Sequence, residues 1–177
     1  MNKVFFLAVA AIVTIVGAYL LFFKEPNFKA KNGYLNNINS KNVIIEGYDP
    51  VAYFTDNKPV KGDAKFNAEY LGATYWFASA EHAELFKKDP ATYAPQYGAF
   101  CGYAVSIGKL RPVDPKIFQI ENGRLILQHT KEAYALFNED LKKSIEKADK
   151  NWPAIVASHV GKPVKYDEKA KPTASSN

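Results

Sequence analysis

The sequence predicts an α+β domain, a small, mainly antiparallel sheet with short helices and a long C-terminal helix, preceded by one transmembrane helix. Three observations carry this expectation. Asn122-Gly123, set between two apolar runs, is the signature of a two-residue hairpin turn. Residues 131–150 place Tyr134, Phe137, Leu141, Ile145 and Ala148 at three- and four-residue steps, one core-facing helical stripe. Residues 4–23 form an uncharged apolar run between Lys3 and Lys24. At about 1.5 Å per residue that run matches the hydrocarbon core of a bilayer.

A cleaved signal sequence is the alternative reading of residues 1–23. The run is longer than a usual signal core and ends in Tyr19-Leu20-Leu21-Phe22-Phe23 rather than in small residues, which favours an anchor. Its short N-terminal tail has the shape of a secretory signal and points to a domain on the periplasmic side. The lysines point the other way, since Lys24, Lys29 and Lys31 outnumber Lys3. Residues 24–42, rich in Asn, Lys and Gly, read as a linker, and 43–155 as the domain. Residues 156–177, rich in Lys, Pro, Ala and Ser, read as a flexible tail.

Within the domain, Val43-Ile44-Ile45 is a short β-branched strand. Asp49-Pro50 caps a helical turn over 51–54, with proline at its first position. Residues 64–70 and 73–78 are two aromatic strands meeting at Leu71-Gly72. Ser79 caps a helix over 80–88, and Asp89-Pro90 opens another turn through Tyr93. Residues 99–106, which include Cys101, are the next strand. Residues 117–120 and 125–127 are the arms of the Asn122-Gly123 hairpin. Thr130 caps the final helix, which Trp152-Pro153 ends.

The formal charge of +5 and pI near 9.1 arise largely in the flanks, at Lys24, Lys29 and Lys31 and at Lys162, Lys165, Lys169 and Lys171. No concentrated basic stripe with stacking aromatics is present, which argues against nucleic acid as a partner. A single cysteine, Cys101, excludes an intramolecular disulfide and every multi-cysteine metal motif. No Ser-His-Asp ordering, phosphate-binding glycine loop or metalloprotease histidine pair occurs. Asp49, Asp89 and Asp114 each precede a proline, and helix initiation accounts for that context.

Three segments carry a family resemblance. They are Gly47-Tyr48-Asp49-Pro50-Val51-Ala52-Tyr53-Phe54, then Tyr70-Leu71-Gly72-Ala73-Thr74-Tyr75-Trp76-Phe77-Ala78-Ser79, then residues 86–98 with Asp89-Pro90 and Tyr97-Gly98. With Tyr103-Ala104-Val105-Ser106 and residues 140–152, the stretch 47–155 resembles the YHS domain family, in particular its stand-alone secreted or anchored bacterial members. The resemblance implies a small domain often attached to metal-handling proteins and sometimes to oxygenase-type enzymes. It also implies cysteine ligands at the positions held here by Ala52, Ala78 and His82. Two of these are methyl groups and cannot donate to a metal.

The remaining candidates are few. Cys101 and His82 could form a two-ligand site for a soft ion such as copper. As core groups they would instead be a small buried hydrophobe and a hydrogen-bonded helix histidine. Tyr48, Tyr97 and Tyr103 are candidates for the rim of a small-ligand pocket beside Cys101. His129 and His159 read as structural or solvated. The function expected is a membrane-anchored binding or accessory module for a metal ion or small ligand, without a catalytic constellation, held at the membrane by residues 4–23 and open to a protein partner there. The alternatives are a redox enzyme using the Cys101 thiol and a purely structural interaction domain.

Overall fold

The computed structural model describes residues 34–159. Helix α1 (Ala52–Thr55) follows a single-turn 3-10 segment, Ile45–Gly47. Strands β1 (Asp63–Tyr70) and β2 (Ala73–Phe77) pair antiparallel, Ala68 facing Tyr75 and Tyr70 facing Ala73. Helices α2 (Ala80–Lys88) and α3 (Pro90–Tyr93) follow, then a second 3-10 segment, Gln96–Ala99, and the short α4 (Gly102–Ser106). Strands β3 (Asp114–Glu121) and β4 (Arg124–Gln128) make the second antiparallel hairpin, and α5 (Lys131–Asn138) and α6 (Leu141–His159) close the fold.

The α+β class, the antiparallel pairing and the long C-terminal helix agree with the sequence reading, but the single sheet resolves into two separate hairpins. The expected transmembrane helix is corrected: no helix among the described residues is long and apolar enough to cross a membrane. The longest, α6, carries Lys142, Lys143, Glu146, Lys147, Asp149 and Lys150 along its length. Residues 4–23, on which that expectation fell, lie outside the described residues, as do 24–33 and 160–177.

Local caps account for the helix starts. Ser79 accepts from His82 N–H, Asp89 from Thr92 N–H and Thr130 from Ala133 N–H, each satisfying a donor that the first helical turn leaves free. The predicted final helix is two helices. Asn138 closes α5 by donating to Tyr134 O, and Asp140 opens α6 by accepting from Lys143 N–H. Trp152-Pro153 does not end α6, which runs to His159. An interior proline costs about 3 kcal/mol. Here Ala148 and Ile155 are buried on either side of it, and the Trp152 ring meets Tyr97 and Phe100.

Two other expectations fail through long-range contacts. Residues 43–45 make only isolated bridges, Val43 to Thr74 and Ile44 to Ile38, before the chain turns left-handed at Ile45, Glu46 and Gly47. Residues 99–106 are a left-handed turn and a helix, not a strand, with Tyr97, Gly98 and Ala99 at φ 54°, 56° and 61°. Segment 34–42, read as linker, crosses that turn. Leu35 is buried, and Asn37 N–H donates to Gly98 O. The crossing is close enough that a Cβ on Gly98 would stand 2.0 Å from Leu35 O.

The core has two clusters with one strand between them. Ile44, Tyr53, Tyr75, Phe77 and Phe86 form the first, beneath the β1-β2 hairpin. Leu35, Tyr97, Phe100, Phe137 and Ile155 form the second, against α6. Leu125 and Leu127 of β4 enter the first and Ile126 the second. Successive side chains on a strand point to opposite faces, so β4 is buried on both sides and reads as a continuous apolar run. Tyr53 ties the halves together by donating its hydroxyl to Pro115 O at 2.8 Å, and burial raises its pKa.

Candidate functional site

Asp49 is fully buried and collects four polar contacts. Its Oδ1 accepts from the N–H groups of Val51 (2.8 Å) and Ala52 (3.4 Å) at the start of α1. Its Oδ2 accepts from Ala78 N–H at 2.8 Å and lies 2.6 Å from His82 Nδ1. One side chain thereby pins the α1 turn, the end of β2 and the first turn of α2. Because Oδ2 is already an acceptor for Ala78, the imidazole is assigned as donating Nδ1–H, which leaves Nε2 on its outer side. The His82 side chain is 17% exposed.

Cys101 lies elsewhere in the core, 1% exposed, and donates its thiol to Gln128 Oε1 at 3.2 Å. No hydrogen bond joins it to His82 among the described residues. Burial pushes the thiol up from its ordinary value, and the facing amides of Ala104, His129 and Tyr103 oppose that only in part. Gln128 Oε1 also accepts from Tyr103 N–H, while its Nε2 is buried without a partner. The amide cannot flip, because Tyr103 N–H must meet an oxygen.

Of the three tyrosines expected at a pocket rim, Tyr48 and Tyr103 do not line the cleft that holds Tyr97. Tyr48 lies beneath the Lys61 ammonium, 4.4 Å from ring centroid to Nζ. Tyr103 packs between the two core clusters. Tyr97 alone lines a cleft, an open hollow of about 250 Å³ walled by Tyr34, Tyr70, Tyr75, Tyr97 and Trp152. The hairpin supplies Tyr70 and Tyr75, and the second 3-10 segment and α6 supply Tyr97 and Trp152.

At its edge Arg124 grips Asp149 with two bonds, 2.9 and 2.6 Å, and also donates to Gln96 Oε1. Tyr97 donates its hydroxyl to the same carboxylate at 2.8 Å. The guanidinium holds Asp149 below the usual carboxylate range. Burial first, and the neighbouring Asp149 second, raise the Tyr97 hydroxyl. Tyr75 is only 2% exposed, yet its hydroxyl makes no hydrogen bond among the described residues.

Residues 51–97 match the family model of the YHS domain. The chain carries a YHS domain. Comparisons with curated proteins and with solved structures returned no significant match. The matched stretch begins at α1 and ends at Tyr97, so it holds the first hairpin, α2 and α3 and, of the cleft, Tyr70, Tyr75 and Tyr97.

The Asp49 contacts bring together the three positions at which the resemblance implies cysteine ligands. Ala52, Ala78 and His82 do converge, but on a carboxylate: two through backbone N–H groups and one through its ring. The methyl groups offer no donor, and both Asp49 oxygens are taken by protein hydrogens. No cluster of three or more His, Cys, Asp or Glu side chains able to hold a metal exists among the described residues. The side chains at these positions do not fit a thiolate metal centre.

Sequence reasoning treated Asp49 as a helix cap and missed its second oxygen, because the contacts to Ala78 and His82 span 29 and 33 residues. It also missed Tyr34, Tyr70, Tyr75 and Trp152 as a group. The aromatic surplus of residues 48–103 was the available signal, but Trp152 arrives from a helix predicted to end there.

Proposed function

We propose that this YHS domain is a non-catalytic binding module for a small organic ligand, seated in the aromatic cleft. The observation that carries this reading is the cleft itself: five aromatic side chains from four parts of the chain, among them Tyr75, whose hydroxyl makes no hydrogen bond to the described residues. Concave sites lined by aromatics with a few placed polar groups are the usual form of small-ligand pockets. The Asp49–His82 pair serves the scaffold in this reading, since its oxygens are consumed by the elements they join. A redox role for Cys101 is disfavoured, because a buried thiol with a raised pKa gives little thiolate.

The test is a ligand-observed NMR screen of the full-length chain against a fragment mixture containing acids, bases and neutral molecules. Binding is expected from some of these and is expected to weaken in a Trp152→Leu chain of unchanged fold. Hits indifferent to Trp152, or no hits of any class, would overturn the reading.

A further inference from the structure

We infer that the cleft selects a neutral, planar molecule of one or two rings that bears a hydrogen-bond acceptor, the chemistry of an aromatic ketone or aldehyde. This deepens the binding-module reading and rests on it.

Four features of the cleft converge on that class. Its volume, about 250 Å³, lies below the ~300–1,000 Å³ of sites that take drug-sized ligands. That limits the occupant to roughly one aromatic nucleus with a small substituent.

Its walls are flat. Tyr70 and Tyr75 stand on the hairpin side, and Tyr97 and Trp152 on the α6 side, the latter pair 5.9 Å apart between centroids and steeply tilted. Ring faces and edges presented together favour an aromatic guest, which can stack on one wall and meet the edge of another.

The described lining carries no charge. Its polar side chains besides the tyrosines and tryptophan are Asn36 and Gln96, and no Asp, Glu, Lys or Arg lines it among the described residues. Arg124 and Asp149 do not line the cleft, and the guanidinium turns Nη1 and Nη2 to Asp149, Gln96 and Tyr97. An anion or cation entering the cleft would shed water and find no counter-charge on the described lining.

Finally, the cleft wall offers a free donor. The Tyr75 hydroxyl has no partner among the described residues, and burial raises its pKa, so it keeps its proton. A ligand oxygen that accepts from it takes the place of water at a hydroxyl that the protein leaves unbonded.

The experiment titrates the full-length chain by ¹H–¹⁵N NMR with five probes: acetophenone, toluene, benzoate, benzyltrimethylammonium and cyclohexyl methyl ketone. A proline-rich decapeptide is the sixth arm. Acetophenone is expected to shift the Trp152 indole resonance and to bind about tenfold tighter than each of the others, the scale of one hydrogen bond or one lost counter-charge.

Tyr75→Phe is expected to weaken acetophenone about five- to tenfold, leaving toluene unaffected. Its thermal midpoint should stay at the parent's value, because the deleted hydroxyl has no partner to lose. Equal binding of benzoate, benzyltrimethylammonium or the saturated ketone would overturn the inferred class, as would an unchanged acetophenone affinity in Tyr75→Phe. Tighter binding of the peptide at the same resonances would overturn it in favour of a protein partner. In each of those outcomes the binding-module reading survives. If no probe shifts any resonance of the cleft, both fail together.

Discussion

Asp49→Ala tests whether one buried carboxylate organises the first half of the fold. The substitution leaves the N–H groups of Val51 and Ala78, each bonded at 2.8 Å, without an acceptor in the core, and frees the His82 ring from its 2.6 Å contact. The Ala52 bond, at 3.4 Å, adds little. A buried donor left unsatisfied costs about 1–3 kcal/mol. Two strong orphans and the lost imidazole contact together give about 3–5 kcal/mol, a large share of the roughly 5–15 kcal/mol that holds a domain together.

Asp49→Asn keeps one oxygen and turns an N–H₂ group toward at least one backbone N–H, so about 1–3 kcal/mol is expected. For a folded unit of this size 1 kcal/mol moves the thermal midpoint by about 3–5 °C, so the alanine chain should melt about 10–20 °C below the parent. Urea and thermal unfolding followed by circular dichroism measure both. A cycle with His82→Ala should show a coupling of about 1 kcal/mol or more. An Asp49→Ala chain within about 0.5 kcal/mol of the parent, the range of an ordinary surface change, would refute the reasoning.

Gly98→Ala should destabilise by about 3 kcal/mol or more, because a left-handed residue with a Cβ costs about 1–2 kcal/mol before any clash, and that Cβ would stand 2.0 Å from Leu35 O. Urea unfolding reads the loss, and unaltered stability would mean that segment 34–38 does not cross the turn. Burial lowers the His129 imidazole below its ordinary value of 6.5, so the folded protein takes up that proton less readily than the unfolded chain. Stability is therefore whole above about pH 6.5 and declines as pH falls toward the folded value; His129→Gln should flatten the decline between pH 7 and 5 in a series of thermal melts. Cys101, buried and bonded to Gln128, should react with a disulfide reagent at least about a hundredfold slower in the native protein than in urea. Rapid native labelling would restore the case for a reactive thiol.

The parts of the fold legible in the sequence are those governed by neighbours along the chain. Asn122 and Gly123 take the positive φ values, 51° and 73°, that a tight hairpin demands. Ser79, Asp89 and Thr130 cap the helices that follow them, each within three residues. What stayed hidden is set by partners far away. Ile45 at φ 50° is a β-branched residue in a conformation its own side chain disfavours, and it is held there by the core around it. The proline in α6 would stop an isolated helix, yet burial of Ile155 and the Trp152 contacts carry the helix past it. The site follows the same division. His82 is visible as a helix histidine and Asp49 as a turn former, but nothing in their local sequence joins them.

The double burial of β4 bears on how such a unit can be divided or transplanted. Residues 51–97 carry the family pattern, but Leu125 and Leu127 complete the hydrophobic interior above which that stretch lies, and Ile126 on the opposite side locks them to α6. Excised at the limits of the pattern, the fragment would expose the apolar surface that this strand covers and lack the Tyr53 tether to Pro115. Melting should accordingly proceed in a single step across both clusters, and a graft that is to keep its shape must include the chain through α6.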